Sequence, residues 1–218
     1  MDERTTKLRR LLEVPESSAR LQAALAAGTD PATADIPVLV ERCRVEPDFY
    51  VRDMLTWALT QHPADATVPR LLDELRMPQV PGDLLLHGRA QALHTLSKIG
   101  DARAWPAVTD DLLADADDEV ARAAWRAAVV VVPDDQRESL AQRLAGQLGR
   151  GDRAMQLSLS RAFVELGSAA DQALAQATDD KREAVRLHAL ATQRLVQDPD
   201  SGFDAAVAEA KRYLAVGS

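Results

Sequence analysis

The chain has 218 residues, with 34 Asp and Glu against 26 Lys and Arg, for a formal net charge of -8. That length can bury roughly seventy per cent of the surface of the unfolded chain, and the acidity works against non-specific attraction to phosphate backbones. Richness in Ala, Leu, Arg and Asp favours helix and predicts no sheet, while one cysteine, no apolar run of bilayer length and no signal-peptide core in MDERTTKLRRLLEV lead to the expectation of a cytoplasmic protein.

Near the N-terminus SSARLQAALAAG reads as a shortened helical unit inside a capping region, residues 1–35. From Ile36 a helix-turn-helix unit recurs. In IPVLVERC, Pro37 is placed just inside a predicted helix start, where its missing N–H costs nothing, and Leu39 and Cys43 follow two and six residues later. The next helix lies in EPDFYVRDMLTWALTQHP: from Arg52, Leu55, Leu59 and His62 fall at offsets 3, 7 and 10, and Pro63 at 11. Those offsets mark one face of an α-helix, and a Gly or Pro at 11 ends it.

VPRLLDEL repeats the first helix with Pro69, Leu71 and Leu75, and after the longer turn RMPQVPGD, Arg76 to Asp83, Arg89 opens HGRAQALHTLSKIGD with Ala92, Leu96, Ile99 and Gly100. WPAVTDDLL supplies Pro106, Val108 and Leu112; Arg122 then leads Trp125, Val129, Val132 and Pro133. ESLAQRLAGQL gives Leu140 and Leu144 without the Pro, and Gln156 stands in the Arg place before Leu159, Phe163, Leu166 and Gly167. DQALAQAT supplies Leu174, and Arg186 leads Ala189, Gln193, Val196 and Gln197. FDAAVAEAKRYLAV reads as a C-terminal capping helix, residues 199–218.

The first-helix Pro, the Asp and Val-Arg at the start of the second helix (Asp48 with Val51 and Arg52, Asp118 with Arg122, Val185 with Arg186) and the closing LSKIGDARAWP resemble HEAT repeats over residues 36–198, about five units. The resemblance implies an all-α, right-handed α-α superhelix forming a single solenoid domain, its first helices convex and its second helices concave. It also implies a ladder of Asp and Arg along successive second helices. Asp48 and Arg52, Asp118 and Arg122, and Asp152 and Gln156 are each four apart, the spacing at which helical side chains meet, while Leu85 and Arg182 break the pattern. Arg52, Arg122 and Arg186 are therefore either a structural ladder or a ligand-facing row.

Nothing in the sequence demands catalysis or a cofactor. Cys43 occupies the place of Leu75, Leu112 and Leu144 and reads as a core residue. His87 and His94 lie seven apart with no further ligands converging on them, so no metal is expected. ADADDEV lacks the Gly and Glu of a calcium loop, having Val120 and Arg126 there, and its acids suit a helix N-terminus instead. Arg150-Gly151-Asp152 reads as a turn and helix cap.

The expected function is a non-enzymatic interaction or scaffold module, regulatory in character, that binds a protein or peptide on its concave surface. Expected contact residues are those of the second helices outside the core offsets: Asp53, Thr56, Arg89, His94, Arg126, Gln156 and Arg161. The alternative follows from similarity to HEAT-like alkylpurine DNA glycosylases, which hold a damaged nucleotide with Trp and Asp. Asp53 and Trp57, one turn apart, and Trp125 would carry that role. A strongly basic surface is missing for it, so nucleic acid is the less expected partner.

Overall fold

A computed structural model describes residues 3–77 and 87–216. The turn segment 78–86, with Leu85, lies outside the described residues. Those described are helical throughout apart from short connections, with no strand among them. No described helix is long and apolar enough to cross a membrane.

The chain divides into two compact units, Met1–Ala107 and Val108–Ser218. The first holds α1 (Glu3–Leu12), α2 (Ser17–Thr29), α3 (Ile36–Val45), α4 (Phe49–Gln61), α5 (Ala64–Arg76) and α6 (Gly88–Ile99). In it α2, α4 and α6 pack successively side by side, and α3 packs against α5 as well as against α4 and α6. The second holds α7 (Asp110–Leu113), α8 (Asp118–Val131), α9 (Arg137–Ala145), α10 (Arg153–Leu166), α11 (Asp171–Ala177), α12 (Glu183–Gln197) and α13 (Phe203–Val216). There α7, α9 and α11 form one row and α8, α10 and α12 another, while α13 lays Phe203, Ala206 and Ala210 on Ala191 and Leu195 of α12.

The apolar offsets form the core. Leu55 and Leu59 of α4, Ala92 and Leu96 of α6, Trp125 and Val129 of α8, Leu159, Phe163 and Leu166 of α10 and Ala189 of α12 are all buried, as are Leu39, Cys43, Leu71, Leu112, Leu140, Leu144 and Leu174 of the first helices. Ile99 and Val196, at the C-terminal ends of their helices, and Gln193, one turn before the end of α12, are only half-buried. Gly100 ends α6 at φ 69, a left-handed conformation that an L side chain rarely adopts.

Two prolines depart from the sequence reading. Pro69 lies inside α5, which begins at Ala64, because the Pro63 carbonyl already accepts the amides of Ala66 and Thr67 and starts the helix a full turn earlier. Pro69 has no N–H to donate to the Asp65 carbonyl, and Asp65 is exposed, so that oxygen is not shut away from water. Pro106 belongs to a 3-10 turn, Ala102–Ala107; α7 starts separately at Asp110, capped by the Thr109 hydroxyl.

Candidate partner-binding faces of the second helices

The recurring arginine is held by the turn that precedes its helix. Arg52 Nη1 donates to the carbonyls of Glu46 and Pro47 at 2.8 and 2.9 Å, and Arg186 Nη1 to those of Asp180 and Lys181 at 2.9 and 3.0 Å. Arg20 of α2 does the same with Val14 and Pro15, at 3.0 and 2.6 Å, so SSARLQ carries the recurring Arg as well. Gln156 Nε2 reaches the Gly151 carbonyl at 3.4 Å. The expected pairing of Asp with Arg four residues on is not made. Asp48, Asp117 and Asp152 spend their carboxylates on the first amides of α4, α8 and α10, where unpaired donors and the helix dipole hold them. Asp118 is the residue after a cap, and it pairs with Arg150 at 2.7 Å.

Buried polar rungs join neighbouring second helices. In the first unit Thr56 Oγ1 lies 3.4 Å from Thr95 Oγ1 and accepts from Gln91 Nε2. In the second unit Ser160 Oγ meets His188 Nε2 at 3.0 Å and Thr192 Oγ1 at 2.8 Å. Thr56 is 3% exposed and so is not a partner contact, contrary to the sequence reading: the position four beyond the recurring Arg faces the next helix.

Ser160 and His188 look like half of a nucleophilic pair, but the proton lies on the wrong nitrogen. The Gly149 amide donates to His188 Nδ1 at 3.0 Å, so the neutral ring carries its hydrogen on Nε2, facing Ser160 Oγ and the Gln156 carbonyl. Thr192 donates its hydroxyl to the His188 carbonyl, leaving its oxygen to accept from Ser160. Ser160 is fully buried and every partner is satisfied, which makes this a structural network. Burial drops the His188 pKa to about 4, against a small opposing effect of the Gln156 carbonyl.

Cys43 is 4% exposed, and burial, with nearby Glu74 and Glu46, pushes its thiol up to about 12, far from thiolate reactivity at neutral pH. Among the described residues no cluster of His, Cys, Asp and Glu could hold a metal.

The solvent-facing side of α4 is different in kind. Phe49, Tyr50 and Trp57 are 66%, 71% and 38% exposed, with the exposed Asp53 between them at helical spacing. Phe49 and Tyr50 meet edge to face at 5.7 Å. Trp57 is seated on Gly28 of α2, where a Cβ would lie 2.5 Å from its Cζ3. Of the other expected contact residues, Arg126 and Arg161 are exposed; Arg89, His94 and Gln156 are half-buried. Arg89 Nη2 donates to the Met77 carbonyl at 3.2 Å. Phe49 and Tyr50 were missed in the sequence, although two aromatics directly after a capping Asp and outside the core offsets were the available signal.

Trp125 is fully buried, and its Nε1 donates to the Leu113 carbonyl at 2.9 Å. It cannot stack on a nucleotide, contrary to the glycosylase alternative. Compared with known proteins, the chain matches no family model and no curated protein.

Proposed function

We propose that this protein is a non-enzymatic interaction module of HEAT-like repeats whose second helices bind a protein or peptide partner. One observation carries the reading: Phe49, Tyr50, Asp53 and Trp57 make an exposed aromatic face on one helix of an otherwise aromatic-poor chain. Exposed aromatics around a single charge have the composition of an interface core. The test is affinity capture from the source organism with the wild type and with Phe49→Ser/Tyr50→Ser, both solvent-facing. A partner held by the wild type and lost by a variant of unchanged melting temperature supports the reading; no partner, or one retained by the variant, sinks it.

A second reading keeps Asp53 and Trp57, accessible and one turn apart on α4, as a damaged-nucleotide site. It has lost Trp125 and must overcome a net charge of -8. Release of alkylated bases from duplex DNA that disappears in Asp53→Asn would replace the interaction reading with it.

A further inference from the structure

Arg122 and Arg126 lie one turn apart on α8. Arg52 and Arg186 stand four residues after the N-caps Asp48 and Arg182 and bond the carbonyls five and six residues back, whereas Arg122 stands five after the cap Asp117, with Ala121 in their place. Around α8 that turn is held by Arg150 instead, which donates to the Asp115 carbonyl and to Asp118. Among the described residues Arg122 has no hydrogen-bond or ion-pair partner, and its Nε is buried without an acceptor. A buried guanidinium N–H left unpaired is costly in a folded protein.

Arg126 stands nine residues after the cap Asp117, as the exposed Trp57 and Arg161 stand nine after Asp48 and Asp152, while the buried Trp125 holds the place of the Thr56 and Ser160 rungs. Arg126 is exposed to solvent, and no ion pair is made to it among the described residues. Enough protein surrounds it that burial, followed by the like charge of Arg122, lowers its pKa. Two guanidinium groups one turn apart on a helix repel each other, in a chain where Asp and Glu outnumber Lys and Arg.

We propose that Arg122 and Arg126 bind the carboxylate of an acidic side chain in a peptide partner. The forked donors of a guanidinium match a planar carboxylate. A monovalent carboxylate suits the place better than a divalent phosphate, because Asp115, Asp117, Asp118 and Glu119 crowd the N-terminal end of the same helix. The proposal deepens the interaction reading and rests on it for the peptide context; the α4 variants test that reading separately.

The experiment titrates the full chain with a synthetic tetraglutamate peptide, and separately with inorganic phosphate, at low ionic strength. The arginine Nε–H signals are followed by NMR. Tetraglutamate should shift the Arg122 and Arg126 signals with an affinity that weakens as salt rises. Arg126→Gln should lower the affinity about tenfold or more. Arg126→Lys, which keeps charge but loses the fork, should fall between, and Lys181→Gln, a charge loss elsewhere, should leave it unchanged. Unmoved Arg122 and Arg126 signals in the wild type, tighter binding of phosphate than of tetraglutamate, or an unaltered affinity in a folded Arg126→Gln would each overturn the proposal. The wild-type signals alone decide it if that variant fails to fold.

Discussion

Arg20 of α2 and Glu46, the first residue beyond α3, meet as a two-point ion pair out of reach of solvent: Nε to Oε2 is 2.9 Å and Nη2 to Oε1 is 2.8 Å. Arg20 is 5% exposed and Glu46 0%. The same carboxylate accepts Arg42 Nε at 2.8 Å and the Asp48 amide at 2.9 Å, while the Glu46 carbonyl accepts Arg52. Burial alone would raise the Glu46 pKa; the bonds from Arg20, the Asp48 amide and Arg42 outweigh it and lower the pKa. Glu46→Ala would leave the buried Arg20 guanidinium, Arg42 and the Asp48 amide without their shared acceptor, so we predict a loss of about 3–5 kcal/mol in urea unfolding. Replacing both charges, Arg20→Met with Glu46→Leu, should cost less than the two single changes summed. Additive losses would break the account.

The recurring arginines should separate by what they hold. Arg52→Ala and Arg186→Ala each remove a charged donor from two turn carbonyls and should cost about 1–3 kcal/mol. Arg122→Ala removes no hydrogen bond and relieves an unpaired buried N–H, so it should not destabilise the protein. Chemical denaturation of the three variants checks this, and equal losses at all three positions would contradict the assigned bonds.

Cys43 is predicted to react with a thiol reagent only at the rate of local or global unfolding, because its thiol is buried and its pKa raised. Cys43→Ser should destabilise the protein by about 1–3 kcal/mol, the cost of an unpaired buried hydroxyl. Labelling of native protein at the rate of a free thiol would rule out the core placement.

Stability should fall in mild acid through His188. Its folded pKa lies near 4 against an ordinary 6.5, so the unfolded chain binds a proton that the folded one refuses. The contribution is complete above about pH 6.5 and is lost as pH falls towards 4, roughly 3 kcal/mol across that window. Glu46 acts in the same direction at lower pH, since its lowered pKa gives stability that protonation removes. Urea midpoints at pH 7 and pH 4.5 should separate less in His188→Gln than in wild type; identical separations would refute the assignment.

Much of the fold was legible because burial follows helical period. Leu55, Leu59, Phe163 and Leu166 could be assigned to the core from their offsets alone, and Cys43 from its alignment with leucines. The candidate face was less so. Thr56 and Asp53 are both polar and three residues apart, yet one is enclosed by Gln91 and Thr95 and the other faces water. A difference of one helical turn face depends on where the next second helix lies, which the local pattern does not encode.

The sequence by itself determined that the chain is helical, where most helices end and which residues avoid water, since these follow from propensity, capping chemistry and a 3.6-residue period acting over a few turns. Only the tertiary structure decided the partners of charged and polar groups. Arg20 found Glu46 across 26 residues, Arg150 reached the Asp115 carbonyl in the turn before α8, and Trp125 turned its N–H to Leu113 in the core. Long flexible side chains reach several acceptors at nearly equal cost, and the choice among them is made by which backbone carbonyls and carboxylates packing brings within about 3 Å.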